Sequence, residues 1–137
     1  RDLVRSRGLG DVYKRQAGET TTYIDNNDHI KGHGGPSQEM VLSFAMAAKD
    51  LKEACLLSID SEGTDGTTPA AGAISDGASL KAAEKKELNL NSSLMDHASY
   101  EALLSMGDVV ITGNTGTNLC DFNVLYIDTQ EERSQTK

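Results

Sequence analysis

The sequence predicts an α/β fold, a mixed sheet with flanking helices, and three observations carry that prediction. Apolar side chains repeat at helical spacing over residues 40–51. A nearly continuous apolar run, ACLLSI at 54–59, follows directly. Two β-branched runs, DVVIT at 108–112 and FNVLYI at 122–127, flank a glycine-rich loop. Strands alternating with helices give layers in which helices cover a sheet, here mixed rather than purely parallel. At 137 residues the chain is sized for one domain.

Each element has its own reason. ETTTYI at 19–24 is rich in β-branched residues and ends in the turn-forming run 25–28, so it reads as a strand. Pro36 is a favoured first helical residue after Gly34 and Gly35. Met40, Val41, Phe44, Ala45, Ala48 and Leu51 then mark one face of a helix over 36–53. The run 54–59 suits a strand buried on both faces, as in a parallel sheet. Residues 60–69 are a loop of Asp, Ser, Gly and Thr, and the small residues 70–75 can pack closely. A polar helix is expected over 79–87, an N-cap at 91–93, and a helix over 99–106 stopped by Gly107. The tail 129–137 is polar.

The first sixteen residues differ from the rest. They hold five cations against two anions, a net of +3 that leaves −11 on the other 121 residues. They contain no apolar stretch of a signal peptide. The run DVYKRQ back-translates into a transposon-based sequencing adaptor, so residues 1–16 are read as a library scar rather than native chain. Residues 17–128 are then the domain.

Composition excludes several functions. A net charge of −8 argues against a nucleic-acid surface, which needs clustered Lys and Arg. No apolar run approaches the roughly 18 residues of a membrane span. Two cysteines in an acidic chain fit a reduced, cytoplasmic setting.

Three loops could serve a phosphate, because glycine lets backbone N–H groups approach an anion closely. Gly32, Gly34 and Gly35 precede the first helix; Gly63 to Thr68 follow the buried strand; Gly113 to Asn118 join the last two strands. None completes a P-loop or a dinucleotide fingerprint. Asp60, Glu62 and Asp65 could hold Mg²⁺ or accept a hydroxyl proton, or could simply cap their own turn. His29 and His33 are four apart, but Gly32 and Gly34 place His33 in a loop, against zinc. His97 stands alone and reads as structural or exposed. Nothing near Cys55 or Cys120 in sequence would activate a thiolate, and Ser61 lacks the setting of a hydrolase elbow.

The segments Gly18-Glu19-Thr20-Thr21, Gly32 to Glu39 (GHGGPSQE), Gly63-Thr64-Asp65-Gly66, Ala70-Ala71-Gly72-Ala73 and Gly107 to Asn118 (GDVVITGNTGTN) occur in one order. Together they resemble the C-terminal (MOFRL) region of class II glycerate kinases, often labelled hydroxypyruvate reductases. The resemblance covers about residues 18–128. It implies the C-terminal domain of a two-domain enzyme that transfers the ATP γ-phosphoryl group to D-glycerate with Mg²⁺. The active site would lie between the domains, and an N-terminal domain supplying a Lys would be missing from this fragment. Asp65 would be the catalytic acid and a Mg²⁺ ligand. Gly34, Gly35, Gln38, Glu39, Gly63, Thr64, Gly66, Thr67, Gly113, Thr115, Gly116, Thr117 and Asn118 would bind substrate and phosphate.

Two positions depart from the family's pattern. Pro36 and Ser37 stand where many members carry Arg-Asn, and Pro69 replaces a second loop Asp. The fragment alone is expected to be inactive, and a homo-oligomer is a further expectation. A hydroxypyruvate reductase and a non-catalytic binding or oligomerisation module are the competing readings.

Overall fold

The computed structural model describes residues 12–24, 30–49, 51 and 53–128. Nine elements follow in order: β1 (Val12–Gly18), α1 (Pro36–Ala47), β2 (Ala54–Asp60), β3 (Gly72–Asp76), α2 (Ser79–Lys85), α3 (Leu90–Met95), α4 (Ser99–Met106), β4 (Val109–Val110) and β5 (Asp121–Ile127). The sheet runs β1-β5-β2-β3-β4. The α/β layer architecture is as expected, but every described strand pair is antiparallel. The parallel setting expected for residues 54–59 is thereby corrected. Alternate burial along β2 gives the reason: one face meets helices and the other does not.

All four helices share one side of the sheet. Val41 and Leu42 of α1, Leu56 of β2, Ala73 of β3, Ala83 of α2, Leu90 of α3, and Ala102 and Leu103 of α4 form a single buried cluster. Alanines fill much of the wider buried apolar set, and Ala73 leaves room for Val41 and Leu42 where α1 packs on β2 and β3.

Helix α1 starts at Pro36 as expected but ends at Ala47, six residues early. Ala48 leaves helical geometry, and Leu51 N–H turns back to the Ala48 carbonyl at 2.8 Å. That turn frees the chain to enter β2, and it leaves Leu51 54% exposed instead of on the buried face. Helix α2 covers most of its expected span. Helix α3 is capped two residues before the expected position, by the Asn89 side chain accepting from Ser92 N–H at 3.1 Å. Helix α4 matches its expected limits and stops at Gly107 with φ 89°.

Residues 19–24 are not a strand; the strand lies at 12–18, pairing with β5 from Val12↔Ile127 to Gly18↔Asp121. Five of its seven residues fall in the stretch read as an adaptor scar. Two of the threonines that suggested a strand, Thr20 and Thr22, spend their side chains on polar contacts instead. Among the described residues no helix is long and apolar enough to cross a membrane.

Candidate functional site

The three glycine-rich loops meet at one end of the sheet. Gly63 has φ +96°, and a Cβ there would lie 2.0 Å from the Gly113 carbonyl oxygen. Gly66, at φ +62°, would place a Cβ 2.1 Å from the Gly34 carbonyl oxygen. Only a residue without a side chain allows both approaches. The loop 63–67 is therefore clamped between the loop before α1 and the loop after β4.

Hydrogen bonds fix the contact with the loop after β4. Thr115 N–H donates to the Glu62 carbonyl at 3.2 Å, and its hydroxyl donates to the Ser61 carbonyl. Asn118 Nδ2 donates to Glu62 Oε1 at 2.7 Å, and Leu119 N–H donates to Ser61 Oγ at 2.7 Å. Asp60 Oδ1 accepts from Glu62 N–H at 2.8 Å, so it caps its own turn.

Asp65 lies beneath this surface. It is 2% exposed, and its carboxylate accepts Ser37 N–H at 3.2 Å, Gln38 N–H at 2.9 Å and Gln38 Nε2 at 2.9 Å. Gln38 Nε2 also reaches the Asp65 carbonyl and Thr68 Oγ1, and Gln38 is itself fully buried. Burial pushes the Asp65 carboxyl up, against the lowering effect of those hydrogen bonds, and Asp121 adds to the rise. The anion-attracting N-terminus of α1 is thus already met by the protein's own carboxylate. The first-turn N–H groups of Ser37 and Gln38 are therefore taken up within the chain.

The same geometry bears on Mg²⁺. Both Asp65 oxygens receive N–H donors, and among the described residues no group of three His, Cys, Asp or Glu could hold a metal ion. Asp65 does not fit a Mg²⁺ ligand here. His29 lies outside the described residues, and His33 is exposed with Nδ1 2.7 Å from Glu101 Oε1.

Two clefts flank the central loop. One, of about 410 Å³, is lined by Gly34, Gly35, Gly66, Thr67, Glu39 and His97, with Thr20 to Thr22 on its wall. The other, of about 400 Å³, is lined by Thr64, Gly116, Thr117 and Asn118, with Glu62 and Asn114. Gly63 and Gln38 line neither, and among the described residues no Lys or Arg lines either cleft.

Two features escaped sequence reasoning. Glu39 Oε1 lies 2.8 Å from His97 Nδ1, and Glu39 Oε2 accepts from Thr22 Oγ1 at 3.1 Å. His97 has φ +52°, in the left-handed region that few non-glycine residues adopt, and lies on the cleft wall. Thr20 is tied to Asp121 through both its N–H, at 2.7 Å, and its hydroxyl. Separations of 58 and 101 residues gave no local signal for either contact. The cysteines are free: Cys120 is exposed, while burial, Asp76 and Asp108 raise the pKa of Cys55.

A five-stranded antiparallel sheet with helices packed on it, and glycine-rich loops joined at one end, defines an α/β module. Comparison with known proteins makes this specific. Residues 15–121 match the model of the MOFRL family, and the chain belongs to that family. It is 39% identical over 117 residues to a glycerate 2-kinase of Pyrococcus horikoshii, covering 85% of this chain and 26% of the relative. It is 39% identical to a D-glycerate 2-kinase of Thermotoga maritima, covering 76% and 24% respectively. The crystal structure of a Thermotoga maritima glycerate kinase superposes with a TM-score of 0.77 at 36% identity, covering 84% of this chain and 27% of that one. The chain spans about a quarter of the length of these relatives.

Proposed function

We propose that this chain is the C-terminal part of a glycerate 2-kinase, which transfers the γ-phosphoryl group of ATP to a hydroxyl of D-glycerate. The observation that carries the reading is the joining of three family loops through the Gly63–Gly113 and Gly66–Gly34 contacts. Phosphoryl transfer asks a protein mainly for positioning and charge stabilisation, and fixed backbone loops supply positioning.

In this reading the two clefts divide the substrates. Thr64, Gly116, Thr117 and Asn118, with Gly113 and Thr115 behind them, present the exposed closing loop to the nucleotide phosphates. Gly34, Gly35, Gly66, Thr67 and Glu39 form the other wall, suited to a small hydroxy acid. Asp65 acts as a positioning residue rather than an acid in contact with substrate: with Gln38 it holds the central loop on α1.

Among the described residues no Lys or Arg lines either cleft, and a transferring phosphoryl group needs a cation. The site is therefore completed by another part of a longer protein, and the fragment alone is inactive. The test measures ADP release with ATP and D-glycerate, on the 137-residue chain and on the full-length gene product. Glycerate-dependent turnover only in the longer protein is expected. NADH oxidation with hydroxypyruvate and no ADP release would replace the kinase by a reductase. Neither activity in the longer protein would leave a binding module.

A further inference from the structure

The cleft lined by Gly34, Gly35, Gly66 and Thr67 has one acid and one imidazole among its described lining residues, Glu39 and His97. Their side chains are 20% and 15% exposed. Thr22 Oγ1 donates to Glu39 Oε2 at 3.1 Å, and His97 Nδ1 lies 2.8 Å from Glu39 Oε1. An ionised carboxylate only accepts, so Nδ1 carries the hydrogen of that contact. Each oxygen of Glu39 therefore has a donor, one from the segment before α1 and one from the turn between α3 and α4. That turn holds His97 in place. Lys31 N–H and Gly32 N–H donate to the Asp96 carbonyl at 3.0 and 3.2 Å, and a Cβ on Gly32 would lie 2.2 Å from Ala98 Cβ. His97 stands between these two fastened residues at φ +52°, where glycine or asparagine would fit with less strain. The neighbouring Lys31 and His33 serve other acids, Asp96 and Glu101, and neither lines the cleft.

We propose that His97 is a positioning residue of this cleft: by donating to Glu39 it makes a wall that bears a carboxylate receptive to an anionic hydroxy acid. The proposal rests on the kinase reading above and on its placing of the hydroxy acid in this cleft. A carboxylate without donors on that wall would repel the carboxylate of an incoming substrate, since like charges brought together oppose binding. Donors from Thr22 and His97 draw its charge toward the protein and fix its orientation. His97 thus acts through Glu39, on the hydroxy acid and not on the nucleotide, whose phosphates are assigned to the other cleft.

Steady-state kinetics of the full-length gene product test it, with ADP release followed against D-glycerate and against ATP. His97→Gly suits the positive φ and removes only the side chain. Its KM for D-glycerate should rise about tenfold, the scale of one lost charge-assisted hydrogen bond, while its KM for ATP stays within about twofold. His97→Asn tolerates the same backbone and offers an amide N–H close to the place of Nδ1, so it should recover most of the loss. Glu39→Gln added to His97→Gly removes the unmatched charge and should also lower the raised KM. A merely structural role would move both KM values together, and removing the second partner would not reverse it. An unchanged KM for D-glycerate in His97→Gly overturns the proposal, as does a further rise when Glu39→Gln is added. Absence of glycerate-dependent ADP release from the unmodified full-length protein overturns the kinase reading, and this proposal with it.

Discussion

Gln38 gives the Asp65 carboxylate two hydrogen bonds, one from its backbone N–H and one from its side-chain amide, each 2.9 Å long. Ser37 N–H adds a third. The first turn of α1 is thus capped by a carboxylate from a loop almost thirty residues further along the chain. Asp65→Ala should leave these buried donors without an acceptor, at a cost of about 3 kcal/mol. Thermal unfolding followed by circular dichroism should move down by several degrees. An unchanged midpoint would remove Asp65 from the framework of the fold.

Gly63 and Gly116 share positive φ but differ in surroundings. A Cβ at Gly63 meets the Gly113 carbonyl and Thr112 Oγ1, whereas at Gly116 it meets nothing within 4 Å. Gly116→Ala should carry only left-handed strain of roughly 1–2 kcal/mol. Gly63→Ala adds a backbone collision and forces the two loops apart, so it should be clearly the less stable variant. Equal urea midpoints for the two would contradict the apposition of these loops.

Much of this architecture could be read from local sequence. Gly107 marked the end of α4, and the apolar runs marked β2 and β5. What failed was decided by partners distant in sequence. Residues 12–18 look basic and irregular, yet β5 offers them an edge to pair with. The threonines at 20 and 22 look like strand residues, yet Asp121 and Glu39 claim their hydroxyls. At the site, composition identified the glycine loops, but only their resemblance to one family suggested that they act together. Asp65 looked like a free loop acid because its partners at 37 and 38 precede it on another element. His97 looked solitary for the same reason.

Asp108 supplies a pH test. Burial raises its carboxyl above the ordinary Asp range, Asp76 adds to the rise, and a bond from Ser79 opposes it. Its Oδ2 is buried without a partner. A raised folded value means that the protonated form is favoured in the fold. The stability it contributes is complete below the unfolded value of about 3.9 and is lost as pH rises through the folded value. Asp108→Asn removes that loss. The variant should have the higher urea midpoint at pH 7, and the difference should shrink as pH falls to about 4. A lower midpoint for Asp108→Asn at pH 7 would show that the ionised carboxylate is stabilising.

Asn118 separates a binding role of the closing loop from a structural one. Its Nδ2 donates to Glu62 Oε1 at 2.7 Å, and its Oδ1 accepts from Cys120 N–H at 3.2 Å, so one side chain fixes both sides of a turn. Both contacts are exposed. Exposed polar contacts contribute little to folding, so Asn118→Ala should change stability by less than about 0.5 kcal/mol. Ligand binding responds differently, because a loop that must be ordered on binding charges that ordering against affinity. In the full-length protein the KM for ATP should rise roughly three- to tenfold, on the order of 1 kcal/mol. The KM for D-glycerate should move less, since Asn118 does not line the other cleft. Measuring both constants on one preparation, beside its unfolding midpoint, decides between the roles. A changed midpoint with both KM values unchanged would make the closing loop a structural clasp and move the nucleotide elsewhere.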